Sequence, residues 1–401
     1  MCDVQRLSAR ASATLVSLLL LLATSRLDAQ KPDGFDEAWS GVATLFQELC
    51  ASEGVVGASL WFFRGEEELG RVFHGYADLA SKRPVDAQTI WHWASNTKTL
   101  TGIAIMQLRD RGRLNLDDPV VRHVPELREV HNPYGPVEDV TLRHLLSHSA
   151  GFRASTWPWG GDEDWHPYEP TRWAQLVAMM PYTEVMFEPG SRFSYSNPGI
   201  LFLGKVIERF SGDDWEVYVD KNILRPLGMQ RSYFDITPYH LIGYRSNNYR
   251  IEDGRPVANG LDFDTGITVS NGGLNAPVPD IARYIAFLSG ARPMDVVLAR
   301  ASLEEMWRPV VRAGEAPAGG QESVGLTFFI SEWPNLRLVG HTGSQRAFQS
   351  FFYVDPETGA ASIGVFNTDA GSRGRPHTRE IIDRIRGMLV KEVFPRFHEG
   401  G

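Results

Sequence analysis

Apolar side chains recur at helical spacing over 35–53, where Trp39, Val42, Leu45, Phe46 and Leu49 share one face. Two β-rich runs follow, 57–63 and 70–75. The charged segment between them predicts a hairpin, with Glu66, Glu67 and Glu68 as its solvated tip. Helical spacing returns over 95–111, marked by Leu100, Ile103, Ala104, Met106 and Leu108, with Gly112 as C-cap. The middle of the chain alternates Pro- and Gly-rich connections with helical patterns at 142–148, 172–180, 199–210, 215–222 and 281–288. The pattern then changes to four predicted strands, 324–331, 336–341, 348–354 and 361–367, and a last helix over 378–393.

Strands near both ends with helices between them predict an α/β fold. One antiparallel sheet, built from N- and C-terminal strands and flanked by helices, accompanies a mostly helical subdomain. The α/β part takes about 35–112 and 311–395, the helical subdomain about 113–310. A groove between the two is the expected place for a ligand.

The first thirty residues follow another logic. Arg6 and Arg10 precede an apolar stretch over 13–23 that holds five consecutive leucines, and Leu27-Asp28-Ala29 closes it. These are the parts of a secretory signal, and the run is shorter than the roughly 20 residues that span a bilayer. We expect 1–29 to be a signal peptide and 30–401 an exported domain, periplasmic or extracellular. An uncleaved membrane anchor is the alternative, because Asp28 fits a cleavage site imperfectly. Without the signal, Cys50 is the single cysteine, and it reads as a buried small hydrophobe. The whole chain of 401 residues is 43% hydrophobic and 22% charged, which excludes a disordered or many-span membrane protein. A net charge of −9 with no long basic run speaks against nucleic acid as a partner.

Three short motifs carry candidate chemistry. In Ser95-Asn96-Thr97-Lys98 the spacing puts serine and lysine one helical turn apart. A serine hydroxyl needs a base to become a nucleophile, and a lysine made neutral by burial or nearby charge can be that base. In Tyr195-Ser196-Asn197, just before a predicted helix, a phenol near cations can lose its proton early and share the general-base work. Asn197 offers an amide donor and acceptor to a substrate amide. In His341-Thr342-Gly343-Ser344, at a strand end, glycine permits close backbone approach. The Ser344 N–H can join that of Ser95 in holding an oxyanion.

In order and context these motifs resemble the serine β-lactamase and penicillin-recognising superfamily, in particular the branch of class C β-lactamases, D-alanyl-D-alanine carboxypeptidases and esterases. The segments 99–119, 141–152, Pro226-Leu227-Gly228-Met229 and Asn271-Gly272-Gly273-Leu274 are similar to recurring stretches of that family. The resemblance implies a β-lactamase/transpeptidase-like fold and an acyl-enzyme on Ser95, with Lys98 as base and Tyr195 as second acid/base. It implies substrate contacts from Asn197, His341, Thr342, Gly343 and Ser344, and neither a metal nor an organic cofactor. The expected partner is a small-molecule or peptidoglycan-like acyl substrate, an ester or a D-amino-acid peptide. A class C-like β-lactamase and a penicillin-binding sensor that does not turn over are the alternatives. The third motif departs from the usual lysine: His341 gives only part of a positive charge near neutral pH, which weakens the β-lactamase reading unless Arg346 substitutes.

Two features point elsewhere. His144 and His148, four apart on a predicted helix, have metal-like spacing but lack acidic or cysteine companions, so packing is expected of them. Trp157, Trp159, Trp165, His166 and Tyr168 crowd a loop that either roofs the cleft or packs on its own subdomain.

Overall fold

The computed structural model describes residues 31–152, 170–262, 264–292, 295–369 and 377–399. The signal segment and the tryptophan-rich loop at 157–168 lie outside them. The first element is α1 (Phe35–Glu53), with Asp36 and Glu37 in its first turn, where carboxylates suit the helix dipole, and Gly54 as a left-handed C-cap. The hairpin follows as β1 (Gly57–Arg64) and β2 (Glu67–Asp78), then the two-residue β3 (Arg83–Pro84). The tip is tighter than the charge pattern suggested. Only Gly65 and Glu66 form the turn, while Glu67 and Glu68 belong to β2.

Helices α2 (Thr97–Asp110), α3 (Leu142–Leu146), α4 (Asn197–Ser211) and α5 (Val278–Ser289) come from the middle of the chain. That region also holds short strands, such as Ile90–His92 paired with Leu274–Pro277. The C-terminal part supplies β4 (Val311–Ala316), β5 (Gly320–Val324), β6 (Phe329–Trp333), β7 (Leu336–Gln345), β8 (Phe348–Val354), β9 (Ala360–Phe366) and α6 (Thr378–Met388).

Nine strands form one antiparallel sheet in the order β3-β2-β1-β9-β8-β7-β6-β5-β4. The period of two along each strand splits its side chains between two cores. On one face Leu60, Phe62, Phe351, Tyr353 and Phe366 pack against α1 and α6. On the other, Trp61, Phe63, Phe352, Ile363 and Val365 pack against the helical middle of the chain. Covered on both faces, β8 and β9 are buried at every position. Cys50 belongs to the first core and is buried and free, as its pattern indicated.

Several boundaries differ from the sequence reading. The strand expected over 324–331 is interrupted: β5 ends at Val324 and β6 begins at Phe329. Thr327 between them is left-handed (φ 63), and its N–H donates to the Leu146 carbonyl at 2.8 Å. Strands β4 and β5 were not expected, because their residues are charged and glycine-rich and β4 is half-exposed at the sheet edge. Helix α3 stops at Leu146, so His144 and His148 do not share a helix. His148 is left-handed instead, with φ 53.

The face under α1 and α6 depends on one aromatic cluster. The Phe62 ring lies 5.5 Å from Phe35, 6.2 Å from Trp39 and 5.1 Å from Phe394, and none of it reaches solvent. Phe62→Ala therefore leaves a cavity at the centre of this layer and should lower stability by about 3–5 kcal/mol. Urea unfolding reads the change, and a loss under about 1 kcal/mol would mean that the cluster repacks around the gap.

Candidate active site

The sequence forces a serine to the end of a buried helix. Ala94 is left-handed (φ 47), and a short 3-10 turn, Ala94–Asn96, leads into α2. The turn is fastened from several sides. Thr97 Oγ1 donates to the Ala94 carbonyl at 2.6 Å, and Asn96 Nδ2 donates to Trp93 O at 2.9 Å and to Ser350 Oγ at 2.8 Å. A residue with a β-carbon holds a left-handed backbone only when its surroundings over-determine it. The outcome is that Ser95 is partly exposed while every residue from Thr97 to Leu108 is buried.

Lys98 lies one turn further, with none of its surface exposed. Its Nζ donates to Ser95 Oγ at 2.9 Å and to the Asn271 carbonyl at 2.7 Å. Both partners are neutral, and among the described residues it makes no ion pair. Burial alone pushes its amine well below the usual lysine range. That is the direction the motif required.

Tyr195 reaches the same point from the segment before α4. Lys98 Nζ stands 5.0 Å from its ring centre, and its hydroxyl hydrogen-bonds with Ser95. Ser196 caps α4 by accepting the Gly199 N–H at 3.1 Å, which sets Asn197 as the first helical residue. The expected direction of the phenol's shift is overturned. Burial raises the Tyr195 pKa, and the Ser95 hydrogen bond only partly opposes this. The neighbours thought to be cationic are themselves desolvated and neutral, so nothing stabilises a phenolate. Tyr195 is a phenol at rest.

The third wall is β7. Strand β6 pairs with Leu336–Gly340 only, so beyond Gly340, among the described residues, β7 is paired with β8 alone. Gly343 is required there: a β-carbon would stand 2.2 Å from the Trp93 carbonyl. The strand and the serine turn thus touch backbone to backbone. Ser95, Tyr195, Asn197, Thr342, Gly343 and Ser344 all line one cavity of about 570 Å³.

His341 is not among that lining. It is 1% exposed, its Nδ1 meets its neighbour's Thr342 carbonyl at 2.5 Å, and its ring packs 5.1 Å from Phe329 and 6.3 Å from Tyr195. Burial, with Lys98 nearby, brings its pKa down to about 3. The partial positive charge expected near neutral pH is therefore missing, because solvent does not reach the ring. Arg346 does not border the cavity either; it is exposed in the left-handed turn after β7 (φ 58).

The structure adds residues that the motifs did not single out. Phe193 and Phe329 flank the mouth in edge-to-face contact, 6.1 Å apart. Arg379 and Arg386 of α6 line the far wall beside Glu322 and Asp383. His148, expected only to pack, stacks on the Tyr195 ring at 4.4 Å. Its place in the segment 141–152 was the available signal. The described residues hold no group of three or more side chains suited to a metal ion.

Comparison with known proteins gives the same picture. A family model described as Beta-lactamase matches residues 42–385. Protein flp of Staphylococcus aureus (strain COL) is 26% identical over 353 residues, covering 87% of this chain and 66% of that protein. Penicillin-binding protein 4* of Bacillus subtilis (strain 168) is 26% identical over 326 residues, covering 78% and 68%. The chain thus spans about two thirds of the length of these curated relatives. The octameric penicillin-binding protein homologue from Pyrococcus abyssi superposes with a TM-score of 0.72 at 28% identity, covering 91% of this chain and 80% of that one. With its antiparallel sheet, its helical middle and its matched length, the chain belongs to the β-lactamase family, whose members are serine acyl hydrolases.

Proposed function

We propose that this chain is an exported serine acyl hydrolase that acts on an ester or a D-amino-acid peptide through an acyl-enzyme on Ser95. One observation carries the reading: a buried lysine, without a counter-ion among the described residues, sits 2.9 Å from the hydroxyl of a partly exposed serine in a cavity. Ser95 Oγ attacks the substrate carbonyl carbon, and its proton passes to the neutral Lys98 amine. The oxyanion takes hydrogen bonds from the N–H groups of Ser95 and Ser344. Tyr195, protonated at rest, gives its proton to the leaving group and recovers one from the Lys98 ammonium. Water then attacks the acyl-enzyme by the same relay in reverse. Asn197 receives the substrate amide; its buried Oδ1 has no hydrogen-bond partner among the described residues.

A class C-like β-lactamase is the second reading. Arg379 in the cavity favours it, since a β-lactam carries a carboxylate, whereas Arg386 is already paired with Glu322 at 3.6 Å and Asp383 at 3.9 Å. The neutral, buried His341 weighs against it, because no fixed charge stands where the family's lysine would supply one.

Intact mass spectrometry separates these readings. The protein from Gln30 onward is mixed in turn with a penicillin, a short-chain ester and a D-amino-acid amide. Turnover of the ester or amide that Ser95→Ala abolishes is the expected result, and full activity in that variant would remove Ser95 from the chemistry. A drug that gains water marks a β-lactamase. A lasting penicillin adduct without any turnover marks a sensor.

The pH profile offers an independent check. Lys98 works as the neutral amine, so kcat/KM should hold near neutral pH and fall as acid protonates it. His341 is neutral down to about pH 3, so it contributes no step nearer neutrality. His341→Gln should therefore leave the profile's midpoint in place to within about half a pH unit. A larger movement would identify the imidazole as the titrating group.

A further inference from the structure

His148 holds the segment that carries Tyr195 at three successive residues. Its backbone carbonyl accepts the Ser194 N–H at 2.8 Å. Its Nδ1 accepts the Ser196 N–H at 3.1 Å. Between these two bonds the Tyr195 ring stacks on the imidazole, with centroids 4.4 Å apart and planes 28° apart. Among the described residues no other ring lies so close and so nearly parallel to Tyr195: His341 is tilted at 53° and 6.3 Å away.

The grip needs an unusual backbone. His148 has φ 53, a conformation uncommon for a residue with a β-carbon, and it is 1% exposed. The left-handed turn aims the carbonyl and the side chain at the same segment. Strain of this kind persists where packing over-determines it, and such residues cluster at functional sites. The bond from Ser196 also fixes the tautomer. A donor facing Nδ1 requires the lone pair there, so the ring proton is on Nε2. Among the described residues the imidazole makes no hydrogen bond to Ser95, Lys98 or the Tyr195 hydroxyl, and its close contact is with the Tyr195 ring.

We propose that His148 is a positioning residue, which by its lone pair and its ring face holds the Tyr195 hydroxyl on Ser95. The inference rests on the function proposed above. Two substitutions divide the clamp. His148→Phe keeps a ring face and loses the acceptor. His148→Asn keeps an acceptor and tolerates the left-handed backbone but loses the ring.

Each variant is assayed on a chromogenic ester below its own unfolding temperature. We expect kcat to fall by about tenfold or more, with KM within about threefold. Tyr195→Phe added to His148→Phe should cost less than about a further threefold, because both act through one phenol. A kcat within about threefold of the parent in both variants overturns the proposal, as does a double variant that loses the full product of the two single effects. If His148→Phe does not fold, His148→Asn decides alone.

A second readout needs no substrate. With 13C-labelled tyrosine, the Tyr195 signals are assigned by their loss in Tyr195→Phe. Ring flipping should quicken in His148→Asn, and an unchanged flip rate overturns the clamp. Should the parent protein and Ser95→Ala hydrolyse the ester equally, the functional reading fails, and the ring measurement still decides the role of His148.

Discussion

A buried amine, with no carboxylate beside it among the described residues, governs this molecule. Among the described residues Lys98 meets a hydroxyl, a carbonyl and the face of a phenol, with the buried His148 and His341 nearby. A charged amine in such surroundings is costly, so the proton leaves and a base remains. Keeping water out takes the whole of α2, the helical core around it and the sheet behind it. The same dryness acts on every titratable group nearby. It keeps Tyr195 protonated and His148 and His341 neutral. The site is thus a set of uncharged groups a single proton apart, a good arrangement for passing that proton between them.

The second constraint is distance. Gly343 brings β7 against the serine turn so closely that no side chain fits between. Ser350, opposite Gly343 on β8, accepts from Asn96 and donates to Trp93 O at 3.2 Å, so the neighbouring strand also secures the turn. Rigidity here comes from backbone and buried polar bonds. Asn197 of α4, Glu322 of β5 and Arg386 of α6 border the same cavity from other elements.

Much of this was legible in the chain. A spacing of three on a helix brings Ser95 to Lys98, and any right-handed helix delivers that pair. The strands around Phe351 and Ile363 were readable because their apolar runs are bounded by turns. What escaped had physical causes. Strands β4 and β5 lack apolar runs because one lies at the sheet edge. The helix thought to join His144 and His148 ends early, and the left-handed turn after it has no signature when a histidine occupies it. The direction of the Tyr195 shift depends on burial, which spacing does not encode. The sheet-side location of His341 depends on where β6 begins, at Phe329 opposite Gly340, and that is a tertiary fact.

The sheet also sets a schedule. Strand β1 lies between β2, its neighbour in sequence, and β9, with Ala58 opposite Phe366. Ser95 is made early, whereas Gly343, which closes its site, is made late. Loop closure over such separations is slow, and nothing local substitutes for it. A nascent or partly threaded chain therefore carries a serine and a lysine still bathed in water, with the lysine charged and the hydroxyl no more reactive than any other. The site is complete only once the C-terminal strands have joined the sheet, and these are the last strands the chain supplies.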